Sequence, residues 1–142
     1  MAANEKDLET ALAEIRAGKK QSKKEIDSEL VRMNNRLKEL GEKISSGEVL
    51  TDDENKEQTE LVDGINKLAD MKTRAVLFDL AILDDSEQVK YQIGQIESAN
   101  KTITDIKKKI EDLSKSLKDA GDFLNGVAAA LTKLAGLLAA FT

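Results

Sequence analysis

The sequence predicts an all-α protein: an elongated antiparallel helical hairpin or three-helix bundle, with coiled-coil-like packing and a long C-terminal helix. Three observations carry this expectation. The chain has no proline in 142 residues, where average usage of about 5% would give about seven, and proline is the strongest helix breaker. Aliphatic residues recur at three- and four-residue spacing along most of its length, the period of one helix face. Aromatic residues make up 3% and charged residues 35% of the chain. Leu, Ile, Val and Ala must therefore build the core, along thin seams between solvated faces. At this length one domain over residues 1–142 is expected.

The first helix is predicted over about residues 4–45, with Leu8, Leu12, Ile15, Ile26, Leu30, Met33, Leu37, Leu40 and Ile44 on its seam. The seam thins between Ala17 and Glu25, around Gly18 and four lysines, so a bend or a section leaving its neighbour is expected there. Gly47 suits a C-terminal cap. Thr51 to Glu54 reads T-x-x-E, a capping box. Asp52 and Asp53 oppose the helix dipole, and Val49 is placed to staple the entry. The second helix is predicted over about residues 52–83 with Leu61, Ile65, Leu68, Met71, Ala75, Phe78 and Ile82 inward. A break is favoured at residues 84–86, where Asp84, Asp85 and Ser86 suit a fresh N-cap. The third helix is predicted unbroken over about residues 86–140. At about 1.5 Å per residue it would be about 80 Å long, against about 60 Å for the first helix.

Composition excludes several functions. Cysteine and histidine are absent, so no disulfide, thiolate site or imidazole base exists. The acidic groups at Asp52, Asp53 and Glu54 and at Asp84, Asp85 and Glu87 lack EF-hand spacing and read as helix starts, so no metal site is assigned. Gly121 and Gly126 match the outer spacing of a phosphate loop, but Val127 stands where its lysine belongs. No catalytic residue and no cofactor are assigned, and Tyr91 is expected at a helix crossing. A net charge of −5 argues against nucleic acid, whose phosphates need a basic surface. The runs Lys19, Lys20, Lys23, Lys24 and Lys107, Lys108, Lys109 read as solvated faces among acidic neighbours. The opening MAANEKDLE has no apolar leader segment. A cytoplasmic protein is the default, with leaderless or dedicated-system secretion the other route.

The residues that point to a function lie in the nearly uncharged segment 119–142. Leu124, Val127, Leu131, Leu134 and Leu138 fall on one helix face, flanked by Phe123, Leu137 and Phe141. The opposite face carries Gly126, Ala129, Gly136 and Ala140, with Asp122 and Lys133 among them. A small-residue face lets another helix approach closely. Its length suffices to cross a bilayer. On the insertion scale, eight strong residues at about −0.3 to −0.6 kcal/mol each are offset by about 2.5–3.5 kcal/mol for a central lysine. The sum lies near zero, which disfavours a permanent anchor and leaves insertion conditional.

The expected function is a non-enzymatic interaction or assembly protein acting by helix–helix packing, with this segment as the docking element. Its expected partner is itself, as a homo-oligomer, or another helical protein. The alternative is a membrane-active protein, pore-forming or secretion-associated, whose last helix inserts conditionally. A charged helical body bearing one apolar helix is similar in layout to α-helical pore-forming toxins, a likeness of architecture alone.

Overall fold

A computed structural model describes residues 5–73, 86–110 and 115–141. Four helices occupy them: α1 (Glu5–Ser45), α2 (Asp52–Thr73), α3 (Ser86–Lys109) and α4 (Lys115–Phe141). Among the described residues there is no strand, as the helical periodicity predicts. The break favoured at residues 84–85, and the inward positions Ala75, Phe78 and Ile82, lie outside the described residues.

The turn between α1 and α2 follows the sequence signals. Gly47 adopts φ +86°, the left-handed conformation that glycine enters without a Cβ penalty. Its amide donates to the Ile44 carbonyl (3.1 Å) and the Glu48 amide to that of Lys43 (3.0 Å), the paired bonds of a Schellman cap. The capping box closes reciprocally. Thr51 N–H donates to Glu54 Oε1 and Glu54 N–H to Thr51 Oγ1, both at 3.1 Å. The staple is corrected: Val49 is 90% exposed and its neighbour Leu50 is buried instead.

Ion pairs fix the antiparallel register of α1 and α2: Arg36 with Glu57, Lys43 with Glu54 and Asp27 with Lys72. Each is partly exposed and contributes at most about 1 kcal/mol. Apolar burial does most of the holding, through Ile26, Met33 and Leu40 of α1 and Leu61, Leu68 and Met71 of α2. Gly64 admits the Met33 side chain where α2 also meets Ile106 and Ile110 of α3.

One expectation about topology fails. The helix predicted unbroken over 86–140 is two helices that pack on each other. Asn100 Nδ2 donates to Asn125 Oδ1 at 2.6 Å, whereas a straight helix would hold these residues about 37 Å apart. Ile103 likewise lies against Gly121. No glycine or proline marks the reversal; it is driven by burial, because the seams of α3 and α4 cover one another. Lys107, Lys108 and Lys109 fall in the last turn of α3, where positive charge favours a helix end. The chain thus runs up-down-up-down. The most extensive contacts join α4 to α1 and to α3, while α2 packs chiefly on the C-terminal half of α1.

The thin part of the α1 seam does not leave its neighbour. The helix is continuous through residues 17–25, and Gly18 is its point of closest approach to α4. A Cβ on Gly18 would fall inside the Val127 methyl and 3.2 Å from the Phe123 carbonyl oxygen. Ile44 is half exposed (50%) at the frayed end of the seam.

These environments separate two glycines of the same helix. Gly41 has open space at its Cβ position, so Gly41→Ala should raise stability by about 0.5–1 kcal/mol. Gly18→Ala gains the same helix propensity but forces α1 off α4, at about 1–3 kcal/mol. Urea unfolding should place Gly41→Ala above the parent and Gly18→Ala below it. Equal effects would refute the close crossing.

Candidate docking helix

Helix α4 is built almost wholly from Leu, Ala and other small residues. Its Ala and Leu content favours helix strongly, and it needs no charged pairs to form. Its bulky face points into the bundle. Leu117, Ala120, Leu124, Val127, Ala130, Leu131 and Leu134 are all at most 3% exposed, packed in one cluster with Ala11 and Ile15 of α1 and Ile96, Ala99 and Ile103 of α3. Leu137 and Leu138 are half-buried against that cluster. Phe123, expected on the flank, is 36% exposed. The side chains of Ala140 and Phe141 lie outside the described residues.

This arrangement corrects one expectation. With segment 119–142 as the docking element, its Leu face is the expected contact with a partner, yet the chain itself covers most of that face. The extra reversal between α3 and α4 supplies that cover. Leu124, Val127, Leu131 and Leu134 are core residues of this chain.

The opposite face is open. Gly126, Ala129, Lys133 and Gly136 are exposed, and no atom lies within 4 Å of the Cβ position at Gly126 or Gly136. Two polar groups of α4 are hydrogen-bonded. Asn125 accepts from Asn100 (2.6 Å) and the Thr132 hydroxyl donates to the Ala128 carbonyl (2.9 Å), while Lys133 stays in solvent. What α4 offers outward is therefore a smooth, weakly polar strip about three turns long, with one cation on it.

The structure also places residues that periodicity did not flag. Ser22, Glu29 and Gln92 are buried among the aliphatic side chains. The Ser22 hydroxyl donates to the Gly18 carbonyl at 2.7 Å, directly beside the α1–α4 crossing. Tyr91, expected at a helix crossing, is 61% exposed. Among the described residues no group of three or more carboxylates is gathered. Two grooves between helices are small. One of about 150 Å³ between α2 and α3 is lined by Lys67, Asp70, Met71 and Gln95. Another of about 160 Å³ runs between α3 and α4 beside Asn100, Lys118 and Asp122. Both are open surface depressions rather than enclosed sites.

No family model matches this chain, and no curated protein or solved structure matches it.

The two faces of α4 should respond oppositely to substitution. Leu131→Ala or Leu134→Ala leaves a cavity and should cost about 2–5 kcal/mol. Ala129→Ser on the outer face should change stability by less than about 0.5 kcal/mol. Denaturant midpoints measure both. A mild effect at Leu131 would mean that its face is not core.

Proposed function

We propose that this chain is a non-enzymatic helical assembly protein that works by helix–helix packing, with α4 as its docking element and a second copy or another helical protein as its partner. The observation that carries the reading is the open strip of α4. Its bulky side is already satisfied within the chain, so the surface left for a partner is the one bearing Gly126, Ala129 and Gly136, where a helix can approach closely. Docking there requires no unfolding. The test is sedimentation of the full chain over a wide concentration range, alone and as Gly126→Leu. The empty space at Gly126 accommodates the leucine in the monomer, so the variant should keep its fold while self-association weakens at least about tenfold. A parent protein that stays monomeric at every concentration, or a variant that associates as well as the parent, would count against self-docking through this strip.

A second reading, conditional membrane insertion, is favoured by one specific observation. Leu117–Ala139 is long and apolar enough to cross a bilayer by length and composition, with a mean hydropathy of 1.3. Insertion would require α4 to leave α1 and α3. The α1–α4 crossing can be locked to test this, since a Cβ on Gly18 lies 3.7 Å from Val127 Cβ, within disulfide range, and the chain has no cysteine of its own. The double variant Gly18→Cys/Val127→Cys should release dye from anionic vesicles when reduced and fail to do so when oxidised. Equal release in both states, or none from the parent protein, would remove the insertion reading.

A further inference from the structure

Among the described residues, one carboxyl is not explained by the packing of the bundle. Glu29 is fully buried, and among the described residues neither of its carboxylate oxygens has a hydrogen-bond partner. The cation acting on it, Arg32, sits one turn further along α1. Its Nη1 is 4.0 Å away, and its side chain is 49% exposed. A carboxylate held this way has lost its water without gaining hydrogen bonds, which is costly for the charged form and far less so for the neutral one.

Its position converts that cost into a conformational lever. Ile15, Ser22 and Glu29 are buried at seven-residue intervals on one stripe of α1. On the N-terminal side of Glu29, α1 crosses α4 at Gly18. On the C-terminal side it is fastened to α2 through Met33 against Gly64, Arg36 with Glu57 and Lys43 with Glu54. Glu29 therefore stands where α1 passes from one partner to the other. The nearby α2 cations are engaged elsewhere, Lys72 with Asp27 and Lys67 with Asp63. In the matching stretches of α3 and α4, Lys101, Asp105, Lys107 and Lys118 are exposed.

We propose that Glu29 is a proton-operated latch: neutral, it lets α1 close over α4, and as the pH rises its ionisation loosens the N-terminal half of α1 and uncovers the Leu face of α4. The purpose assigned to the latch, releasing α4, rests on the insertion reading above, which requires α4 to leave α1 and α3; its chemistry does not.

The direction follows from linkage. Burial pushes the Glu29 carboxyl from its ordinary 4.5 up to about 7, against a smaller downward pull from Arg32. The folded state thus holds the proton more tightly than the unfolded chain. This contribution favours the closed bundle fully below about pH 4.5, and it is lost as the pH rises through about 7. Glu54 behaves oppositely. Its carboxyl is held down to about 2, chiefly by Lys43 and then by Thr51, so its contribution falls away only in acid below its ordinary 4.5. Among the described carboxyls with a shifted pKa, Glu29 is therefore the one that changes charge between about pH 5 and about pH 8.

Denaturant unfolding of the parent and of Glu29→Gln across that range tests the latch. The parent's folding constant should fall on the order of a hundredfold from the acid to the alkaline end, while Glu29→Gln stays nearly flat. An equal slope in both proteins overturns the proposal. Carbon NMR titration of the Glu29 carboxyl in the parent protein is independent of how the variant folds. A midpoint near neutrality supports the latch and a midpoint in the ordinary carboxylate range overturns it. Hydrogen exchange, corrected for intrinsic rates, locates the opening. Residues 11–26 and 124–134 should lose protection at the alkaline end while residues 33–61 keep it, and uniform loss over all helices would contradict a latch. Dye release by the reduced Gly18→Cys/Val127→Cys protein reads insertion separately, so a failed latch and a failed insertion reading are distinguishable.

Discussion

The rest of the structure depends on the burial of α4 between α1 and α3. A helix of Leu and small residues cannot remain in water with its bulky face open, because each exposed Leu forgoes about 1.5–3 kcal/mol of burial. The chain meets this constraint by folding back twice around α4. The first helix approaches so closely at Gly18 that a Cβ there would fall inside the Val127 methyl, and α3 lines the other side with Ile96, Ala99 and Ile103. The charged residues, 35% of the chain, then have a common role. They solvate the outer faces of α1, α2 and α3 and leave a single smooth strip on α4.

That division gives one helix both core residues and an open strip of small ones. Its bulky stripe fixes α4 in the bundle, and its small stripe lets a partner helix come near without disturbing the core. The Glu29 carboxyl adds a weak point in the same system, at the place where α1 exchanges α4 for α2. Stability there is set by protonation, whereas the α1–α2 hairpin, with its cap and ion pairs, does not depend on it. A bundle built this way has a firm end and a releasable end.

Much of the fold was legible in the sequence. The Schellman glycine at Gly47 and the capping box at Thr51 and Glu54 are local chemistry, decided within a few residues, and both form as the pattern implies. The seam positions Ile15, Ile26, Met33 and Leu40 of α1 and Leu61, Leu68 and Met71 of α2 are buried as periodicity selects, whereas Ile44 is half exposed. The reversal between α3 and α4 was not legible, because Ile103, Ile106, Ile110 and Leu117 keep one helical phase across it and no glycine or proline marks it. Only the need to cover the Leu face in three dimensions shows that the chain must turn. Both faces of α4 were legible as faces; which of them the chain itself would cover was not, for the same reason. Glu29 was invisible because a glutamate among charged neighbours reads as surface, and Val49 and Leu50 differ in burial through a turn geometry that periodicity does not encode.

The central claim, that α4 is a core helix of the free protein with only its small-residue strip exposed, is tested most directly by native-state hydrogen exchange of the full chain in mildly acidic buffer. The account predicts that the α4 amides over residues 124–134 are among the slowest to exchange, opening together with residues 11–26 of α1. If those α4 amides exchanged as fast as an unprotected chain while the α1–α2 hairpin stayed protected, α4 would be detached in solution and the account would be wrong.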